Sequence, residues 1–133
     1  MDEMTRLPPP IKGQAKLGSS PADIPLVHTL YQTYSLFHEL VIKFPKSQRY
    51  SLGAACQNQL LAVIEAVVTA ASVSDARIKS RQLQAASAKL DLLRLLIRLC
   101  KDCKCLSNQA YLEVESKLHE AGRMVGGWLK SIS

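Results

Sequence analysis

Leu90-Asp91-Leu92-Leu93-Arg94-Leu95-Leu96-Ile97-Arg98-Leu99-Cys100 is the stretch that decides the fold of this chain. Its apolar residues are too many for one face of a helix. One series has the period of a helix-bundle seam, with steps of three and four residues: Leu83, Ala86, Leu90, Leu93, Ile97 and Cys100. Leu92, Leu96 and Leu99 form a second stripe outside that seam. A helix that is apolar on two sides needs partners on two sides, so we expect the domain core on one side and a neighbouring subunit on the other.

Three other segments repeat the same spacing. Their seams are Val27, Leu30, Tyr34, Phe37 and Val41; Gly53, Cys56, Leu60, Val63, Val67 and Ala70; and Tyr111, Val114, Leu118, Ala121, Val125, Trp128 and Ile132. The pattern predicts helices over about 24–43, 47–73, 75–104 and 107–132. Ser47 is expected to cap the second helix, and Ser107 or Asn108 the fourth. Short links between four amphipathic helices predict an all-α fold, an antiparallel up-down four-helix bundle in one domain over residues 24–133.

Residues 1–23 differ in composition from the rest of the chain. Proline, glycine and serine are frequent there, and the charges balance at three basic against three acidic residues. Such a stretch cannot bury enough apolar surface to offset its ordering entropy. We expect a flexible arm, or a strap that becomes ordered on a partner.

The net charge of +6 is concentrated in the third helix. Asp75 to Cys105 contains eight Lys or Arg residues against three Asp. Arg94, Arg98 and Lys101 share one helical face outside the seam and predict a basic ribbon that faces water or a polyanion. The predicted phosphate-binding residues of this helix are Arg77, Lys79, Arg81, Lys89, Arg94, Arg98, Lys101 and Lys104. An ordinary solvated face is the alternative. No aromatic residues alternate with these charges, so stacking on single-stranded bases is not indicated.

The sequence contains no recognisable catalytic or metal-binding motif. Cys100, Cys103 and Cys105 are clustered, but a zinc site would need a distant fourth ligand such as Cys56 or His119. The three histidines are scattered, and no phosphate loop or nucleophile arrangement is present. We therefore expect no enzyme activity, no metal and no cofactor. A thiol or metal protein that uses the cysteine cluster is the alternative.

The localisation expected from the sequence is cytoplasmic, with reduced thiols. The N-terminal residues contain no apolar signal core. The longest apolar run, Leu60 to Val73, is short for a membrane span and contains Glu65. These features predict no transmembrane segment and no membrane partner.

The fourth helix contains Gly122, Gly126 and Gly127 outside its seam. Each glycine inside a helix costs roughly 0.5–1 kcal/mol relative to alanine. Close approach of another backbone would explain them, and fraying near the C-terminus is the alternative. The predicted oligomer interface therefore comprises Leu92, Leu96, Leu99, Gly122 and Gly126.

Three segments resemble the Avd-like four-helix-bundle family, which includes the accessory variability determinant of diversity-generating retroelements. They are Phe44-Pro45-Lys46-Ser47-Gln48-Arg49-Tyr50-Ser51-Leu52-Gly53, Leu90-Asp91-x-Leu93-Arg94-x3-Arg98-Leu99 and Glu120-Ala121-Gly122-Arg123-Met124-Val125-Gly126-Gly127-Trp128-Leu129. The resemblance covers about residues 26–132. Bundle proteins encoded in intervening sequences of bacterial ribosomal RNA genes belong to the same group.

The resemblance implies a basic homopentamer that associates with a reverse transcriptase, with its template RNA and possibly with cDNA, and that supports mutagenic reverse transcription. Arg94, Arg98 and Arg123 match arginines of the family pattern, so Arg123 joins the predicted nucleic-acid-binding residues. Trp128 matches the family tryptophan, and Arg49 the arginine before the second helix. A ribosomal intervening-sequence protein with a structural or unknown role is the alternative that the resemblance leaves open.

Overall fold

Four helices packed as a bundle confirm the predicted all-α fold. The structure, a computed structural model, describes residues 23–132. The helices are α1 (Asp23–Val41), α2 (Lys46–Ser72), α3 (Ala76–Asp102) and α4 (Asn108–Ile132). The arm predicted for residues 1–23 lies outside the described residues except for Asp23, where α1 begins.

Consecutive helices run antiparallel, and α1 also packs against α4. Between α2 and α3, Cys56 lies beside Cys100, Gln59 Nε2 donates to the carbonyl of Lys89, and Lys79 Nζ donates to the carbonyl of Ala70. Residue numbers therefore rise along α2 as they fall along α3. α3 and α4 are antiparallel as well. The later α3 residue Arg94 hydrogen-bonds the earlier α4 residue Glu115, and the early α3 residue Lys79 lies over the late α4 residue Trp128. The result is the up-down arrangement.

The predicted seams form the core. Every seam residue of α2 and α3 is buried, while three seam residues of the outer helices, Tyr34, Tyr111 and Ile132, are half-buried. Aromatic rings fill the largest volumes: Phe37 packs edge-on against Phe44 with ring centroids 5.8 Å apart, and Trp128 is fully enclosed. Steps of three and four residues on each helix thus keep one apolar stripe facing the bundle axis.

Side-chain caps stabilise the starts of α3 and α4, and a change of backbone conformation ends α3. Asp75 Oδ1 accepts from the amides of Arg77 and Ile78 at 2.8 and 3.3 Å, which caps α3. Ser107 Oγ accepts from the amide of Ala110 at 3.0 Å, so Ser107, the first of the two predicted candidates, caps α4. α3 ends where Lys104 adopts a left-handed backbone with φ of 65°. This conformation closes many helix C-termini and is usually occupied by glycine.

The start of α2 differs from the expected serine cap. Ser47 lies inside the first helical turn, and its carbonyl accepts from Ser51 Oγ at 3.0 Å, so the prediction that Ser47 is the N-cap is wrong. Arg49–Gly53 then form a π-helical turn. A Cβ added to Gly53 would lie 3.2 Å from Val41 Cγ1, so glycine allows this turn to pack closely against the end of α1.

Helix α2 is long and apolar enough to cross a membrane by length and composition, with a mean hydropathy of 1.3 over its most apolar window. The core helix of a bundle has the same composition, and 39% of that window is buried inside this bundle. Length and composition alone are therefore weak evidence for a membrane span.

Truncation of the α3 seam should destabilise the bundle, whereas truncation of an exposed leucine outside the leucine-rich side of α3 should not. We expect Leu93→Ala to lower the free energy of unfolding by roughly 2–5 kcal/mol, because it leaves a cavity in the core. Leu61→Ala, at a side chain on α2 that is 47% exposed, is the matched control and should change it by less than about 0.5 kcal/mol. Urea denaturation measures both, and equal effects would contradict the seam assignment.

Candidate functional site

The predicted basic residues do not form one uniform ribbon along α3. Three of them, Lys79, Arg94 and Lys101, are held by contacts within the chain. The others have exposed or half-buried side chains without an ion pair among residues 23–132. The first group therefore takes part in the packing of the helices.

Arg94 joins α3 to α4. Its Nε and Nη2 atoms donate to Glu115 Oε2 at 2.9 and 2.5 Å. Arg94 is therefore used in part within the fold, because its guanidinium is paired while its side chain stays 38% exposed, and its predicted contact with a polyanion stays a prediction. The second carboxylate oxygen, Glu115 Oε1, is buried and accepts no hydrogen bond within residues 23–132.

Two lysines of α3 also contact neighbouring helices rather than solvent alone. Lys79 Nζ donates to the carbonyl of Ala70 at 2.6 Å and lies 5.4 Å from the ring centroid of Trp128. Lys101 Nζ lies 4.9 Å from the ring centroid of Tyr111. An ammonium over an aromatic face contributes attraction as well as packing. Lys79 thereby connects α2, α3 and α4, and the family-matched Trp128 is a core residue beneath it.

Arg49, the arginine of the motif before α2, also makes contacts within the chain. Arg49 is half-buried in the π-helical turn, and its Nη2 donates to the carbonyl of Phe44 at 3.4 Å. Its Nε is buried without a hydrogen-bond partner in the described part of the chain. The side chain therefore holds the loop before α2 against the bundle.

The unpaired cations are concentrated in two places. Arg77 and Arg81 are exposed, lie four residues apart and line an open groove with Ser80, Gln84 and Ile132. The groove runs between the start of α3 and the end of α4. Arg98 and Lys104 are exposed near the other end of α3, and Lys89 is half-buried along its middle.

Arg123 extends the first of these places onto α4. It lines a second shallow depression with Met124, Gly126, Gly127 and Lys130. Because Lys79 lies over Trp128, the start of α3 is level with the last turns of α4. Arg77, Arg81 and Arg123 therefore lie toward the same end of the bundle, which we call the arginine end.

The exposed leucines of α3 differ in part from the predicted stripe. Leu92 and Leu99 are 47% and 42% exposed, as an unpartnered stripe requires. Leu96 is half-buried against the core of its own chain, so it is less exposed than these two, and its predicted place in an oligomer interface stays a prediction. Leu95 is 58% exposed and lies one helical turn from Leu92 and from Leu99. We call Leu92, Leu95 and Leu99 the leucine face.

The register of α3 and α4 places one more exposed apolar residue near the level of this face. The Arg94–Glu115 pair fixes the two helices against each other. Leu95 follows Arg94 by one residue, and Leu112 precedes Glu115 by three, so both lie at about the same level. Leu112 is therefore an exposed apolar residue of α4, with 55% of its side chain accessible, at about the level of Leu95.

Packing within the chain does not explain the glycines of α4. A Cβ added at Gly122, Gly126 or Gly127 would meet no atom within 4 Å. α4 continues as a regular helix to Ile132, so fraying at these positions is not seen either. The surface around them is open, and the predicted subunit contact at Gly122 and Gly126 stays a prediction.

The cysteines separate into a buried pair and two thiols nearer the surface. Cys56 and Cys100 are buried with their Sγ atoms 3.6 Å apart, Cys105 is half-buried and Cys103 is exposed. The hydrogen bond between Cys56 and Cys100 raises the pKa of the Cys100 thiol, and burial raises it further. Burial also raises the pKa of the Cys105 thiol. Among residues 23–132, no three Cys, His, Asp or Glu side chains are grouped as a metal site requires.

Glu115 and the cysteine pair were missed by the sequence analysis. Both depend on the register between antiparallel helices. The short connection between α2 and α3 was a signal that could have been used. It makes the two helices antiparallel, so a residue early in α2 lies beside one late in α3. Cys56 and Cys100 were each recognised as seam residues, but they were not paired.

Charge reversal should lower the free energy of unfolding more at Arg94, which is paired with Glu115, than at Arg98, which has no ion pair among residues 23–132. We expect Arg94→Glu to lower the free energy of unfolding by about 1–2 kcal/mol, because it removes the ion pair and places a carboxylate beside Glu115. Arg98→Glu, the matched control with the same charge change, should alter it by less than about 0.5 kcal/mol. Thermal denaturation measures both.

The double variant Arg94→Glu with Glu115→Arg restores opposite charges and should recover much of the stability that Arg94→Glu removes. No recovery, or equal effects of the two single variants, would show that the pair does not hold α3 against α4.

Comparison with known proteins identifies the family. A profile described as bAvd-like matches residues 26–132, which is most of the chain and all four helices. A comparison with curated proteins gives no match. The matched region contains the loop before α2, the arginines of α3 and the glycine-containing segment of α4. The chain therefore belongs to the bAvd-like family.

Proposed function

We propose that this protein is a non-enzymatic accessory subunit of a diversity-generating retroelement, which binds the reverse transcriptase and its template RNA or cDNA. The observation that carries the proposal is the family match over residues 26–132. The unpaired arginines support it, because an accessory subunit of this kind needs a surface that attracts nucleic acid.

The arginine end is the part of the surface best suited to phosphate. A guanidinium presents several donors in a plane that matches phosphate oxygens. Arg77 and Arg81 lie one helical turn apart beside Ser80 and Gln84, so several donors line one open groove. Arg123 adds a third cation toward the same end of the bundle. Binding there would be electrostatic and independent of base sequence.

The leucine face supports self-association as part of the same proposal. Exposed apolar residues scattered singly are ordinary on a protein surface, but contiguous ones mark contact sites. Leu92, Leu95 and Leu99 are exposed and spaced as one helical stripe. An assembly through this surface would array several arginine ends together and strengthen their attraction for a polyanion. The pentamer number comes from the family resemblance.

RNA binding should weaken when the arginine end has less charge. We expect Arg77→Gln with Arg81→Gln to reduce affinity for a single-stranded RNA. The slope of log affinity against log salt should also become shallower, by about 0.7 for each phosphate that the protein no longer neutralises. Lys43→Gln with Lys46→Gln, at exposed positions just after α1 and at the start of α2, is the control with the same change of charge. Fluorescence anisotropy at several salt concentrations measures both variants.

The result for the control decides the interpretation. If both double variants weaken binding equally, net charge alone is responsible and the arginine end is not the site. If affinity for RNA does not fall as salt rises, nucleic-acid binding through phosphate contacts is excluded and the proposal fails.

Self-association should depend on the leucine face. We expect Leu92→Ser with Leu99→Ser to shift the mass measured by light scattering from an oligomer to a monomer, because polar side chains would replace the apolar contact. Leu61→Ser, at a residue of similar exposure on α2, is the control and should leave the mass unchanged. A wild-type protein that is monomeric at low and high salt would contradict the proposed assembly.

A further inference from the structure

We propose that Cys56 and Cys100 form a reversible disulfide under oxidation, which links α2 to α3 inside the bundle. This inference is independent of the proposed function. The two residues are 44 positions apart in the chain, yet their Sγ atoms lie 3.6 Å apart. Both side chains are fully buried, so the contact is part of the core rather than a surface encounter.

The packing between α2 and α3 brings these thiols within reach of a bond. A disulfide needs sulfur atoms about 2.05 Å apart and Cα atoms about 4.4–6.8 Å apart, which is closer than most helix pairs allow. The sulfur atoms are already 3.6 Å apart, so the bond closes when they approach each other by about 1.5 Å.

The position of Cys100 provides the route for an oxidant. Cys100 lies in the last turn of α3, which ends at Asp102, and terminal turns open at lower free energy than helix centres. While the turn is closed, the hydrogen bond with Cys56 and burial raise the pKa of the Cys100 thiol and leave little reactive thiolate. The pair therefore stays reduced in the closed bundle and reacts when the last turn opens.

The chemistry is a two-electron oxidation by an azo compound such as diamide. One thiolate adds to the nitrogen–nitrogen double bond of diamide. The second thiolate then attacks that sulfur, the S–S bond forms and the hydrazine leaves. Two S–H bonds are broken, and their two protons and two electrons are carried by the hydrazine.

Tryptic mapping of the oxidised full-length protein tests the proposal directly. Trypsin places each cysteine in its own peptide: residues 50–77 contain Cys56, 99–101 Cys100, 102–104 Cys103 and 105–117 Cys105. After diamide treatment and alkylation of the remaining thiols, we expect peptide 50–77 to be joined to peptide 99–101, with a mass about 2 Da below the sum of the two. Dithiothreitol should separate them.

Two variants provide controls. Cys103→Ser with Cys105→Ser removes the thiols nearest the surface and should retain the cross-link. Cys56→Ala should abolish it. In the first variant, oxidation should raise the thermal midpoint by at least about 5 °C, because the bond closes a long loop in the unfolded chain.

Two results would overturn the proposal. One is oxidation that joins only peptides 102–104 and 105–117 while Cys56 is alkylated after denaturation. The other is a cross-link of Cys100 to Cys103 or Cys105 instead of Cys56. Because both are read from the wild-type protein, the test does not depend on the folding of any variant.

Discussion

Burial of one seam on α3 is the constraint on which the rest of the structure depends. Leu83, Leu90, Leu93 and Ile97 are fully enclosed, and they fix the rotation of α3 about its own axis. Every other residue of α3 then has a determined direction. Arg94 and Lys101 point toward α4, Lys89 lies along α2, and Leu95 and Arg98 point away from the bundle. One rotation therefore decides which cations are used internally and which are available to a partner.

The fold could be predicted because it rests on periodicity within each helix. The spacing of Leu90, Leu93 and Ile97 is a property of one segment, and burial of the seam follows from it. The π-helical turn at Arg49–Gly53 was missed because it differs from an α-helix in backbone hydrogen bonding and not in composition.

The candidate site could be predicted only in part, because it depends on distances between helices. Composition shows that Arg94 and Arg98 are charged and lie outside the seam. It does not show that Glu115 pairs with Arg94 and not with Arg98, because that depends on the register between α3 and α4. The choice between Leu95 and Leu96 is similar. Both lie off the seam, and the angle of the neighbouring helix decides which one packs.

The π-helical turn has a consequence for how the length of this chain can vary. A π-helical turn contains about one residue more than an α-helical turn, and a single added residue would otherwise rotate the following helix by about 100°. In α2 the extra residue is taken up before Ala54, so the seam from Cys56 to Ala70 keeps its direction toward the axis. The length of the segment between α1 and Ala54 can therefore change without rotating the α2 seam away from the bundle axis. A residue gained or lost in this turn would change the loop and leave the packing of the later part of α2 in place.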